Sequence, residues 1–319
     1  MKTVQQEVDE RSNLTGTNKF ELLLFRLGGD AHGERNELFG INVFKIREIV
    51  AMPEVTAVAG SPPLVLGVVN LRGQIIQVLD LPAITGCVPK TGLNIMLVTE
   101  FARTTQAFAV ESVEEIVRLD WKQVMSSEQS AGSGMVTSIA RLDDGENGTT
   151  RLAQVLDVET ILQKMNPKDK EDINAATLGA KIKLKAGTVI LAADDSVVAR
   201  SLIEQGLEAM GLPFVMTKTG KEAWDQLNYL ATAAETEGKT IYDKVALVLT
   251  DLEMPEMDGF TLTRSIKKST RFASMPVVIH SSLSGTTNEE HVKTVGADAY
   301  VAKFSAEDLS STLRRVLGQ

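Results

Sequence analysis

The residues best suited to chemistry in this chain are acids that follow short apolar runs. Asp194 and Asp195 come directly after the run Thr188–Ala192 and its neighbour Ala193. Asp251 follows Val248-Leu249-Thr250. Two later runs end in a hydroxyl and an amine: Ile279-His280-Ser281-Ser282 and Ala302-Lys303. Carboxylates gathered in one cleft repel each other and hold their protons more tightly unless a cation sits among them. All-oxygen ligands on a partly open site suit Mg2+. With Ser281 and Lys303 at the same rim, the set fits phosphoryl transfer onto Asp251. Cation and amine would neutralise the equatorial oxygens, the hydroxyl would donate to one of them, and the carboxylate would attack in line. An acyl phosphate is high in energy, so the mark would be temporary. Taken singly, each residue is a common cap, turn or surface residue. The signal is their order along the chain.

That chemistry requires a particular scaffold. From Gly187 onward, strand-like and helix-like segments alternate. The strands are Thr188–Ala192, Phe214–Met216, Val245–Leu249, Val277–Ile279 and Ala299–Ala302. Between and after them, Val198, Leu202 and Met210, with Ile203 and Leu207 nearby, recur at helical spacing, and helix-like segments are Lys221–Ala234, Phe260–Lys268, Asn288–Val295 and Ala306–Leu317. Ser305 with Asp308 is a capping signal for the last helix. Five strand–helix pairs predict an open, doubly wound parallel sheet with helices on both faces. If the strand order is 2-1-3-4-5, the acids after strands 1 and 3 meet at the switch point, where such sheets bind ligands.

Residues 187–319 resemble the response-regulator receiver family, a flavodoxin-like fold. The run Asp251-Leu252-Glu253-Met254-Pro255-Glu256-Met257-Asp258-Gly259 matches that family's phosphorylation loop. The resemblance implies Asp251 as phosphoacceptor, Asp194 and Asp195 as Mg2+ ligands with Asp195 in direct contact, and a metal-directed backbone carbonyl at Glu253. It implies Ser281 and Lys303 as the conserved hydroxyl and lysine, and Tyr300 as the switch aromatic. Phe304 departs from the family's usual proline, and Thr236–Lys244 is a longer loop than usual.

The first half has another texture. Short apolar runs recur at Leu22–Leu27, Leu38–Ile49, Val65–Val69, Ile75–Leu79, Ile95–Val98 and Ala107–Val117, with Gly, Pro and polar punctuation between them. This predicts an all-β barrel or sandwich, with a short helix at Val158–Met165. Among these residues no catalytic constellation stands out; His32 is isolated. The run Gly67-Val68-Val69-Asn70-Leu71-Arg72-Gly73-Gln74 through Asp80-Leu81 resembles the CheW-like coupling domain, with support from Phe39–Val43, Arg47–Ile49 and Phe108–Val113. Gln77 stands where that family commonly has proline. The resemblance implies two five-stranded β-barrel subdomains that dock onto the histidine kinase CheA and onto chemoreceptor cytoplasmic tips. Arg72 and Glu48 are the candidate partner contacts; Arg72 could equally brace the turn before Gly73.

The expected organisation is an arm over 1–18, a coupling domain over 19–165, a lysine-rich linker over 166–186 and a receiver over 187–319. A coupling domain followed by a receiver is the CheV-family arrangement. It implies a chemotaxis adaptor between receptors and CheA, adjusted by phosphorylation of Asp251. The alternative is a phosphate sink without conformational output. The chain would be no enzyme beyond accepting and slowly losing its own phosphoryl group. A haloacid-dehalogenase-type phosphatase wants a second Asp two residues after the nucleophile, where Glu253 stands.

Composition agrees with this reading. The 319 residues carry a net charge of −9, which disfavours nucleic acid and anionic lipid. The single Cys87 excludes an intrachain disulfide framework. No run approaches the length of a membrane span, and the N-terminus lacks a secretory pattern. The expected location is cytoplasmic, with recruitment to receptor arrays through partners and no direct membrane insertion.

Overall fold

The computed structural model describes residues 19–29, 36–101, 104–126, 134–143, 150–165, 178–281, 294–303 and 305–319. The expected arm, His32, Ser282, His291, Phe304, the first part of the linker and most of the helix expected at Asn288–Val295 lie outside them. Lys19–Val158 form one compact unit and Glu159–Gln319 a second. Among the described residues, no helix is long and apolar enough to cross a membrane.

The first unit holds two sheets. One has the order β8-β1-β2-β11-β10-β9, from β1 (Phe20–Arg26), β2 (Leu38–Asn42), β8 (Ser112–Leu119), β9 (Val124–Ser126), β10 (Val136–Asp143) and β11 (Thr150–Leu156). The other has the order β3-β6-β7-β5-β4, from β3 (Ile46–Ala51), β4 (Val65–Leu71), β5 (Gln74–Asp80), β6 (Ile95–Phe101) and β7 (Thr104–Val110). Two of the apolar runs read as continuous in the sequence are divided between the sheets. Within Leu38–Ile49, the Asn42 side chain accepts from Phe44 N (3.1 Å) and caps one tight turn, which separates β2 from β3. Within Ala107–Val117, buried Glu111 ends β7. Its carboxylate accepts from the backbone N of Lys90 (2.8 Å) and of Thr91 (2.6 Å). Each sheet has its own core. Leu22, Leu24, Ala140 and Ala153 fill one, and Val78, Met96, Val98 and Ala107 the other. A short helix, α1 (Leu81–Thr85), follows β5.

The glycine motif has a backbone reason. Thr56 and Val68 exchange two 2.9 Å hydrogen bonds. That approach leaves the carbonyl oxygen of Thr56 2.2 Å from where a Cβ on Gly67 would lie, and Gly67 has a φ of 145°. At the β4–β5 hairpin, Arg72 and Gly73 both have positive φ, 51° and 86°. This is the twist-matched two-residue turn, and the Asn70 side chain accepts from Gly73 N at 2.9 Å.

The second unit contains one parallel sheet in the order β13-β12-β14-β15-β16. Its strands are β12 (Val189–Ala193), β13 (Phe214–Thr217), β14 (Val245–Thr250), β15 (Val277–Ser281) and β16 (Ala299–Ala302). This is the 2-1-3-4-5 order the site requires. The described helices are α2 (Val158–Met165, packed in this unit from Glu159), α3 (Val197–Ala209), α4 (Gly220–Thr236), α5 (Gly259–Lys268) and α6 (Ala306–Val316). Side chains of Ser196, Thr219, Asp258 and Ser305 cap the last four by accepting from backbone N–H groups of the first turn. Ile203 and Leu207 of α3 pack with Leu309 and Leu313 of α6 in one core. Ala223, Leu227, Leu262 and Ile266 of α4 and α5 belong to the other. Both sheet faces are thus covered.

The described end of the lysine-rich stretch is no free tether. Leu178 and Ile182 are buried in the α3–α6 core. The carbonyl of Leu178 accepts from Ser310 Oγ (2.7 Å) and from the Arg314 guanidinium (2.6 Å). Lys183 N and O pair with the Gln319 side chain.

Candidate functional site

The carboxyl ends of the strands bring the chemistry together. Asp194 sits just past β12, Asp251 just past β14, Ser281 at the end of β15 and Lys303 just past β16. Asp251 N donates to Ala193 O (2.9 Å), and Lys303 N donates to Ser281 O (2.8 Å), so backbone ties hold neighbouring strand ends in register. The acidic pair is also fixed. Asp194 Oδ1 accepts from Ser196 N (3.0 Å), and the Arg200 guanidinium donates to the carbonyls of Asp194 (2.9 Å) and Asp195 (2.8 Å). Arg200 therefore stiffens the loop without neutralising its carboxylates. The Asp251 loop is clamped at its far end. Gly259 N donates to Leu252 O at 2.8 Å, so close that a Cβ on Gly259 would lie 2.0 Å from Asp251 O.

One carboxylate oxygen each from Asp194, Asp195 and Asp251 lies within 4.8 Å of the others. Lys303 Nζ reaches into the group, 2.8 Å from Asp194 Oδ2 and 3.2 Å from Asp251 Oδ1. Asp194, Asp251 and Lys303 are buried. Burial pushes the Asp251 carboxyl well above its usual range; Lys303 opposes this, while Asp194 and then Glu159 reinforce it. Asp194 is raised for the same first reason. Burial pulls the Lys303 amine down, but Asp194, Asp251 and Glu159 together carry it well above the ordinary lysine range. Among the described residues, Lys303 is the cation that reaches these carboxylates. Asp251 Oδ2 is buried and accepts no hydrogen bond. An orphaned oxygen beside two further acids fits a small hard cation.

The other expected residues lie nearby. Ser281 is 1% exposed. Tyr300, half-buried on β16, packs with Phe260 against Leu252 and Ile279. Glu253 is buried in the loop after Asp251. Arg72 and Glu48 belong to the first unit and pair with each other at 2.6 Å; the Arg72 side chain is 71% exposed. The turn residue thus reaches the edge strand β3 from the opposite edge of its sheet order.

Sequence reasoning missed two residues at the site. His280, buried on β15, has an Nδ1 that accepts and donates no hydrogen bond. Burial first, then Lys303, pushes its pKa down to about 3. Glu159, on α2, is 1% exposed, and its Oε1 lies 3.4 Å from Lys303 Nζ. His280 was legible as the neighbour of Ser281. Glu159 stands 144 positions before Lys303, and no motif links them.

Two family models match the chain: the CheW-like domain over residues 21–166 and the response regulator receiver domain over 190–314. The chain is therefore a coupling-type domain fused to a receiver. Over nearly its full length it is similar to the chemotaxis protein CheV3 of Helicobacter pylori, 31% identical across 97% of this chain and 98% of that one. It is also similar to CheV2 of the same organism, 28% identical across 98% and 99%. The scaffolding protein CheW of Thermoanaerobacter tengcongensis aligns in structure over 45% of this chain and 92% of its own, with 23% identity and a TM-score of 0.38. The chain belongs to the CheV family of chemotaxis proteins.

Proposed function

We propose that this protein is an adaptor between chemoreceptor cytoplasmic tips and the histidine kinase CheA, adjusted by phosphorylation of Asp251. The observation that carries the reading is the Lys303 amine seated between Asp194 and Asp251 with Asp195 alongside. Asp194, Asp195, Asp251 and the Glu253 carbonyl would hold Mg2+. When bound, the ion offsets the carboxylate charge and that of the incoming phosphoryl group. An Asp251 oxygen bonds to phosphorus as the donor's bond to phosphorus breaks, and the leaving group keeps that electron pair. Lys303 pairs with a phosphoryl oxygen and Ser281 donates to another. Hydrolysis of the acyl phosphate resets the site slowly. Tyr300 repacks with Ser281, changing the face formed by β15 and β16. The first unit supplies the docking surface, with Arg72 and Glu48 among its contacts, and partners recruit the protein to receptor arrays.

The test is labelling with acetyl phosphate or a phosphorylated chemotaxis kinase, with and without Mg2+, and location of the label by mass spectrometry. Label on Asp251 that needs Mg2+ and disappears in Asp251→Asn is expected. Metal-independent label, or label at another residue, overturns the assignment.

A further inference from the structure

The phosphoacceptor pocket contains a carboxylate that the receiver motif does not supply. Glu159 lies in the first turn of α2, three residues after β11 ends at Leu156 and well before the first receiver strand. From Glu159 on, α2 packs within the second unit. Ile161 and Leu162 are each 1% exposed, so α2 carries a buried apolar face as well as the buried charge. The Glu159 side chain is buried too, and Oε1 faces Lys303 Nζ at 3.4 Å. Burying a fourth carboxylate beside three others is costly unless a cation meets it, and Lys303 is the cation in contact.

We infer that Glu159 is an internal competitor for Lys303, seated where a phosphoryl oxygen must bind, so that phosphorylation of Asp251 and docking of α2 exclude each other. This inference rests on the phosphoacceptor reading and adds its regulation. A carboxylate and a phosphoryl group are both anions that an ammonium binds through oxygen. Lys303 is within reach of Asp194 and Asp251 already. A dianionic phosphoryl on Asp251 would take over the amine and repel Glu159 at close range. Stripped of Lys303 and facing a phosphoryl dianion, a charged Glu159 is costly to keep buried, so the first turn of α2 is driven out of the pocket. The helix is the last element of the CheW-like sequence region, so its release carries the phosphorylation state into that part of the chain. In the reverse direction, a partner that draws α2 away opens Lys303 and favours phosphorylation, as linkage demands.

Two measurements on the full chain test this. The first is the labelling rate of Asp251 by acetyl phosphate with Mg2+, in wild type and in Glu159→Gln. The variant keeps the side-chain shape and drops the charge. It is expected to label at least about fivefold faster, the lower range for coupled sites. The second needs no variant: amide hydrogen exchange over 158–165, before and after phosphorylation of the wild type. Protection is expected to fall on phosphorylation. An unchanged rate in Glu159→Gln, or unchanged protection in a wild type that carries the label, overturns the inference alone. A wild type that takes no label on Asp251 overturns the phosphoacceptor reading beneath it.

Discussion

Lys303 is the residue on which the pocket balances. Its amine is the cation that touches Asp194, Asp251 and Glu159. Breaking a buried pair by removing one partner is far more damaging than the pair is stabilising, because the remaining charge is left stranded. Lys303→Ala is therefore expected to lower the stability of the second unit by about 3–5 kcal/mol at pH 8 without divalent cation. Added Mg2+ should recover much of it by taking over the charge. Chemical denaturation with and without Mg2+ checks this; a variant as stable as wild type in the absence of metal would show the carboxylates are not charged there. The lysine was readable in sequence because it ends a strand run in the required order. Glu159 was not, since helical spacing on Val158, Ile161 and Leu162 marks a buried face but cannot say which buried neighbour a polar residue on that face will meet. Arg72 is readable as a turn residue through Gly73, yet its partner Glu48 lies on a strand 24 positions away in sequence.

Among elements, the strands and helices were legible wherever apolar period and punctuation agreed. The exceptions have physical causes. A single side chain, Asn42, divides one apolar run by capping a turn. Glu111 ends β7 within another. Neither change alters hydrophobicity enough to show in a pattern. The stretch before β12 misleads in the opposite sense. Its lysines read as solvated linker, while Leu178 and Ile182, too few to set a period, bury in the α3–α6 core. Arg314 and Ser310 of α6 hold the Leu178 carbonyl. Leu178→Ala is expected to cost about 2–4 kcal/mol in the second unit, as for other large-to-small core changes. Thermal denaturation of that variant checks it. Unaltered melting would mean that the segment is bound too loosely to contribute.

At the scale of the whole molecule, two units with separate cores should unfold in two transitions, and their responses to pH should differ. Asp194 and Asp251 are raised in the folded state. Their contribution is present below the ordinary carboxylate range and is lost as pH rises toward their folded values. His280 works on the acid side. Its pKa falls from 6.5 unfolded to about 3 folded, so its contribution is full above 6.5 and declines as pH drops toward 3. That decline is about 1.4 kcal/mol per pH unit within the window. The second unit is thus squeezed from both directions in the absence of a cation, and its stability should peak between them. If Mg2+ is held by the ionised carboxylates as proposed, its stabilising effect must grow as pH rises and more of them are charged. Differential scanning calorimetry at pH 5, 6.5 and 8, with and without Mg2+, is expected to show one transition that Mg2+ leaves alone and one that it raises most at pH 8. A shift of equal size at all three pH values would mean that the raised carboxylates are not the ligands, and a shift of both transitions would mean that the ion binds elsewhere.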